Sequence, residues 1–206
     1  KLLRKLRLIS NFYSVIIYKN IPTFAGLGGG SGNAASIMKY LIKKKVNKSL
    51  INQAERIIGS DLKLFFHKQG FLKNLRSIID LKKKQKLFFL LIQPKIKCST
   101  KEIYSKVKNY SRKQTLQENK LNTKKKFVSF LANSSNDLQL IVEKKHPIVN
   151  ELLINIRNQK GCYLSRMTGS GSVCYGLFSN QIKAKKGLYN LKMKYPKFWA
   201  SLAKTV

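Results

Sequence analysis

Apolar residues run along this chain in two rhythms, one with the two-residue period of a strand and one with the 3.6-residue period of a helix. Residues 12–19 (FYSVIIYK) are β-branched and aromatic and predict a strand that feeds a glycine-rich stretch. Beyond the glycines, Ala34, Ile37, Met38, Leu41 and Ile42 recur at helical spacing, with Ser31 near the helix start as a capping hydroxyl. A second helix is expected from about Leu50 to Ile58, with Ser49 before it and Gly59 as its stop. Asp61 follows at once, and LKLFF at 62–66 reads as a short strand. Residues 86–92 (KLFFLLI) predict a buried strand ended by Pro94, and the S-T-K-E run from Ser99 to Glu102 has the spacing of a capping box. The lysine-rich stretch 111–126 reads as a loop or mobile helix. Asn136 and Asp137 are expected to open a helix, and Pro147 suits the first turn of the next. The run YLSRMTGSGSVCYGLF at 163–178 predicts strand, glycine turn and strand. A helix near 181–193 and a strand at 198–203 follow. Interspersed strands and helices without an internal repeat predict an α+β layered fold.

Composition narrows the function classes. Of 206 residues 43% are hydrophobic, enough for a sizeable core, and no run of about eighteen apolar residues would span a membrane, so no membrane partner is expected. The formal charge is +34, from 42 basic against 8 acidic residues, which on its own favours a polyanionic partner. The lysines do not gather into one stripe. They fall in short runs at 43–45, 82–84 and 124–126, at the ends of apolar segments, and isoleucine and asparagine are also plentiful. That pattern reads as compositional drift, with salt-sensitive nonspecific binding and no specific nucleic-acid partner expected. Three cysteines (Cys98, Cys162, Cys174) and two histidines lack metal-ligand spacing, so reduced, buried thiols in a cytoplasmic protein are expected.

The candidate chemistry lies in IPTFAGLGGGSGNAASIMKYL, residues 21–41, with five glycines in the seven positions 26–32. Such a stretch is a flexible linker or a backbone cradle for an anion. An apolar helix starting straight after it favours the cradle, because glycine φ > 0 lets successive N–H groups converge and the helix terminus adds unsatisfied donors. The P-loop pattern G-x-x-x-x-G-K-S/T fails for want of a lysine in register. The dinucleotide pattern G-x-G-x-x-G fails at Ser31 and Asn33.

The string P-x-x-x-G-L-G from Pro22 to Gly28, followed by G-G-S-x-N-A-A from Gly29 to Ala35, resembles the ATP-binding loop of the GHMP kinases, which phosphorylate small alcohols such as galactose, homoserine and mevalonate. The longer form KNIPxxxGLGGGSxNAA is similar to the branch of that superfamily acting on 4-diphosphocytidyl-2-C-methyl-D-erythritol in the non-mevalonate isoprenoid pathway. Further segments resemble the family in order: IGSD at 58–61, QPKIKCSTKEIY at 93–104, NDL at 136–138, RMTGSGSVCYGLF at 166–178 and the terminal FWASLAK. The resemblance implies a two-lobed α+β fold, with an incomplete ribosomal-protein-S5-like domain over residues 1–92 and a ferredoxin-like domain over 93–206. It also implies ATP, with Mg2+, as phosphoryl donor and a small cytidylyl molecule as acceptor. A bacterial cytoplasm, or a plastid stroma, would be the setting. Oligomeric state and metal ligands stay open.

Residue by residue, the resemblance implies that Pro22, Thr23, Phe24, Ala25, Gly26, Leu27, Gly28, Gly29, Gly30, Ser31 and Gly32 form the ATP-binding loop, with residues 26–32 holding the triphosphate through backbone donors. Ser31 would act as hydroxyl donor, as neighbour of the magnesium or simply as a helix cap. Asp61 would be the general base; from the residues alone it is a loop aspartate with a lysine partner. Tyr104 would stack on cytosine, or else pack in the core. Gly169, Ser170 and Gly171 would abut the ATP loop and shape the substrate pocket, or form a bare strand turn. The sequence departs from the family at Gly32, where a serine is usual, at Lys63, where a proline is usual, and around 70–80, where no G-x-G-E segment occurs. No A-K-(I/L)-N-L segment precedes the glycines either, so an N-terminally truncated kinase, inactive as it stands, is expected. The alternatives are another GHMP kinase, of homoserine or mevalonate type, and a basic nucleic-acid-binding module.

Overall fold

The computed structural model of the chain describes residues 1–42, 46–74, 77–111, 121 and 123–205, in two compact units. The first comprises Lys1–Ile21 and Gly28–Leu81, the second Pro22–Leu27 and Lys82–Val206.

Three helices, α1 (Leu2–Lys5), α2 (Gly29–Leu41) and α3 (Lys48–Ile58), build the first unit with a 3-10 helix at Ser60–Phe66 and an antiparallel hairpin of β1 (Gly70–Asn74) and β2 (Ser77–Asp80). Ala35 and Met38 of α2, with Ile42 just past its end, form a buried stripe that meets Leu50 and Ala54 of α3 and Leu62 of the 3-10 helix. The cap of α3 is Asn47, whose side chain accepts from the Leu50 N–H at 2.8 Å, so Ser49 lies inside the first turn instead of before it. Gly59 ends the helix with φ 124°, as its place in the sequence predicts.

Two expected strands are not strands. Segment 62–66 continues from Gly59 as the 3-10 helix, which drops Leu62 into the core and satisfies its backbone locally, beginning with Leu62 N–H to Gly59 O at 3.2 Å. Lys63, on that helix, is buried and pairs with Glu55 of α3 at 2.7 Å. Segment 12–19 pairs with no strand among the described residues, and Phe12 and Tyr18 are each 83% exposed. β-propensity expresses fit to a paired, half-buried surface, so without a ladder partner it fixes no strand.

The second unit is a four-stranded antiparallel sheet in the order β4-β5-β3-β6, from β3 (Phe88–Gln93), β4 (Cys162–Met167), β5 (Cys174–Phe178) and β6 (Trp199–Lys204). Its helices are α4 (Thr100–Ser105), α5 (Lys124–Ala132), α6 (Gln139–Lys145), α7 (Pro147–Arg157) and α8 (Gln181–Lys194). Strand, helices, two strands, helix, strand is the βαββαβ plan of ferredoxin-like domains. Leu90 and Ile92 of β3 and Cys174 and Phe178 of β5 face a core completed by Val149, Leu152 and Ile156 of α7 and Ala184 and Leu191 of α8. A Cβ on Gly176 would come within 2.5 Å of Ile156 Cγ2, so the bare glycine lets α7 lie close on β5. The division expected at residue 92 would cut β3, whose pairing with both β5 and β6 makes it central to this sheet. Most of the lysine-rich stretch 111–126 lies outside the described residues; its end, Lys124–Lys126, opens α5 behind a Thr123 cap.

All three cysteines are free thiols. Burial pushes each upward in pKa, that of Cys162 to about 11. Since the thiolate is the reactive form, the native protein at pH 8 is expected to react with a chromogenic disulfide reagent far more slowly than after unfolding in guanidinium, when three thiols titrate. A fast native equivalent would contradict this.

Candidate active site

The glycine stretch is built in two parts. Pro22–Leu27 lies in the second unit, fastened to the turn between β4 and β5. There the Phe24 carbonyl accepts from the Ser172 N–H at 2.9 Å. The Ala25 carbonyl accepts from the Val173 N–H at 3.3 Å and from the Thr168 hydroxyl at 2.8 Å. Phe24 has φ 55° although it is not glycine, a left-handed backbone that these bonds hold in place. Gly26, at φ 68°, packs so closely that a Cβ would fall on the Thr168 carbonyl oxygen. A Cβ on Gly169 would sit 3.1 Å from Gly26 O. The turn between β4 and β5 is therefore in contact with the first part of the glycine stretch.

That turn has its own braces. Asn136 donates to the Met167 and Gly169 carbonyls at 3.0 and 2.8 Å, while its Oδ1 accepts from the Leu138 N–H at 3.1 Å. It thus serves the turn and lies ahead of α6, which starts at Gln139 rather than at Asn136 and Asp137. Ser170 Oγ lies 2.9 Å from Thr100 Oγ1 at the start of α4, and a Cβ on Gly171 would come within 2.9 Å of Met167 Sδ.

From Gly28 onward the stretch belongs to the first unit. Gly28 caps α2 in the left-handed conformation (φ 63°, ψ 26°), a role expected of Ser31, which instead sits inside the first turn. The helix ladder starts with Gly32 N–H to Gly28 O at 2.9 Å, so the N–H groups of Gly29, Gly30 and Ser31 lie outside it. Apart from its chain neighbours and the helix's own backbone, no atom of the described residues lies within 4 Å of a Cβ built on Gly29 or Gly30, which leaves that approach to the backbone open. Open donors at a helix's positive end suit a phosphate.

Asp61, in the 3-10 helix, is exposed, and its Oδ2 lies 3.8 Å from the position of a Gly28 Cβ. The carboxylate thus stands beside the head of α2. Phe65 of the same helix presses its ring on this turn, 3.2 Å from a Gly28 Cβ and 3.0 Å from a Gly32 Cβ. The family's usual serine at 32 would meet this ring, so the departure at Gly32 matches the aromatic at 65. Lys39 of α2 donates to the Phe65 carbonyl at 2.6 Å and fixes the end of the 3-10 helix.

Tyr104 is 51% exposed on α4, whereas its neighbour Ile103 is fully buried; the core-packing alternative for Tyr104 therefore falls. Ser99 caps α4, accepting from the Glu102 N–H at 3.4 Å, but Glu102 does not reach back to complete a capping box. Its carboxylate bonds Lys145 at 2.6 Å and Lys106 at 3.0 Å. Those ammonium groups, Lys145 first, hold its pKa down to about 2. Glu102 stays ionised down to that pH, and the tie between α4 and α6 weakens only as pH falls through it.

Gln93 and Thr168, which do not stand out in the sequence, both bond the backbone of residues 23–25. Gln93, 7% exposed at the end of β3, donates through Nε2 to the carbonyls of Thr23 and Phe24 at 3.2 and 3.3 Å and to Ser172 Oγ at 3.1 Å. Nothing in the local sequence signals partners 70 residues distant. Among the described residues no group of three or more His, Cys, Asp or Glu could hold a metal ion, and no helix is long and apolar enough to cross a membrane.

Comparison with known proteins adds relatives to this geometry. The family model "GHMP kinases C terminal" matches residues 113–197. A 4-diphosphocytidyl-2-C-methyl-D-erythritol kinase of Pelagibacter ubique (strain HTCC1062) is 33% identical over 211 residues, covering 100% of this chain and 74% of the relative. The crystal structure of a 4-(cytidine 5'-diphospho)-2C-methyl-D-erythritol kinase superposes with a TM-score of 0.68 at 22% identity, covering 91% of this chain and 69% of that one. A homoserine kinase from Cytophaga hutchinsonii superposes equally well, at 0.68 and 14% identity, covering 91% and 68%. These structural likenesses bear on the fold. The 33% identity separates the branches.

Proposed function

The chain belongs to the 4-diphosphocytidyl-2-C-methyl-D-erythritol kinase family of ATP-dependent small-molecule kinases, and from that premise we propose that it transfers the γ-phosphoryl group of ATP to the 2-hydroxyl of 4-diphosphocytidyl-2-C-methyl-D-erythritol. The observation that carries the reading is the Asp61 carboxylate beside the open glycine head of α2. In-line transfer needs a held triphosphate, a positioned hydroxyl and an acceptor for its proton. The backbone of residues 26–32 holds the phosphates, with the N–H groups of Gly29, Gly30 and Ser31 directed by the helix start. Asp61 takes the proton of the attacking hydroxyl as its oxygen bonds to the γ-phosphorus and the β–γ bridging oxygen leaves with ADP. Tyr104, exposed on α4, offers a face for cytosine, and Gly169, Ser170 and Gly171 border the acceptor. Magnesium bound with ATP would offset the charge that develops on the phosphates, and the Ser31 hydroxyl is the side-chain group of this stretch that would serve it.

The test is ADP release by the protein expressed from its complete coding sequence. ADP is expected with the cytidylyl substrate, not with homoserine or mevalonate. CMP should compete, and the competition should weaken in Tyr104→Ala. Release with homoserine or mevalonate instead would move the chain to another branch, and failure to bind ATP at all would end the kinase reading.

A further inference from the structure

Gln93 carries an unusual balance of hydrogen bonds. Its nitrogen has three acceptors within 3.3 Å, the carbonyls of Thr23 and Phe24 and the Ser172 hydroxyl, while its Oε1 is buried with no partner among the described residues. Reversing the amide would set its oxygen against two carbonyls, so the orientation follows from the acceptors. An unpaired buried oxygen costs stability. A residue that retains one is best explained by what its nitrogen does.

That nitrogen holds the arm of the glycine stretch. Thr23 and Phe24 precede Ala25–Gly28, and Phe24 keeps a left-handed φ of 55° that an aromatic residue rarely adopts. We propose that Gln93 is a positioning residue of the nucleotide loop, locking the turn at Phe24 and with it the arm 23–26 of that loop. The inference rests on the kinase reading, because it assigns Gln93 an effect on ATP.

The fold itself depends little on this amide. Thr23 is exposed, so its carbonyl can turn to water. The Phe24 carbonyl keeps the Ser172 N–H at 2.9 Å, and the Ser172 hydroxyl keeps the Ile96 carbonyl at 3.2 Å. Gln93→Leu therefore strands no buried group and removes the unpaired oxygen. Its loss falls on the direction of the loop, not on the core.

The experiment compares binding of a fluorescent ATP analogue, binding of CDP and the ligand-free melting temperature for wild type, Gln93→Leu and Gln93→Glu, each expressed from the complete coding sequence, between pH 5 and pH 8. Gln93→Leu is expected to bind the ATP analogue about tenfold more weakly, with CDP affinity and melting temperature unchanged. Gln93→Glu should approach wild type at pH 5, where a protonated carboxyl can still donate to a loop carbonyl, and weaken as pH rises and the carboxylate faces those carbonyls. A purely structural role would lower the melting temperature and both affinities together and show no such pH profile, which would overturn the inference, as would equal ATP affinity in wild type and Gln93→Leu. Should wild type bind no ATP analogue, the kinase reading falls and the inference with it. If wild type binds and the leucine variant matches it, only the inference falls.

Discussion

Asparagine in place of Asp61 is expected to lower turnover about 10²–10⁴-fold, the usual contribution of a positioned general base, while ATP affinity and melting temperature hold. The amide has the size and shape of the carboxyl but cannot take up the hydroxyl proton. Asp61 is exposed, and the 3-10 helix is anchored through other residues. Leu62 is fully buried, Lys63 pairs with Glu55 at 2.7 Å, and Lys39 holds the Phe65 carbonyl at 2.6 Å. The substitution therefore leaves the support of the site intact and isolates the chemistry. Single-turnover ADP formation at saturating ATP, beside an ATP binding isotherm, separates the two effects. Unchanged turnover would remove Asp61 as the base. Equal losses in rate and affinity would make it a ligand of the nucleotide.

The motif that points to Asp61 is local, and so is most of what the sequence revealed. Helices α2, α3, α7 and α8 and the strands of the second sheet follow from periodicity and stop signals within a few residues. Where the outcome depends on a distant partner, local reading fails. The β-branched run 12–19 has strand propensity but no ladder among the described residues, and 62–66 is drawn into a 3-10 helix by the burial of Leu62 against α2 and α3. The hairpin at 70–80 shows the converse: Gly70 pairs with Asp80 in a stretch with no recognised turn signal. The site divides in the same way. The glycine stretch and Asp61 are legible because each falls in a short contiguous motif, G-L-G-G-G-S-G and G-S-D, that needs no distant partner to be seen. Gln93 and Thr168 are not, because they act on the cradle across 70 and 143 residues of chain and could be replaced by other donors with the same reach.

The glycines of the cradle serve two different ends, and substitution should separate them. Alanine at Gly26 is expected to destabilise the protein by about 2 kcal/mol or more, a fall in melting temperature of roughly 4–8 °C for a chain of this size, and to weaken ATP binding at least tenfold. Its φ of 68° already disfavours any side chain, and the new methyl would fall on the Thr168 carbonyl oxygen and within 2.8 Å of Oγ1. The Thr168 backbone has little room to retreat, since its N–H donates to Val173 O at 2.9 Å and its carbonyl accepts from the Gly171 N–H at 2.8 Å. The arm 22–27 must therefore lift from the turn. Gly30→Ala is the contrast. Beyond its own helix backbone, no described atom lies within 4 Å of a Cβ at Gly30, and the residue is helical, so alanine should leave the melting temperature unchanged or raise it slightly. A loss of ATP affinity there would then measure close approach of a phosphate to the backbone, free of any effect on folding. If Gly26→Ala melts with wild type, the arm is not pressed on Thr168; if Gly30→Ala binds ATP as wild type does, the phosphates do not approach the backbone at Gly30 closely enough to exclude a methyl group.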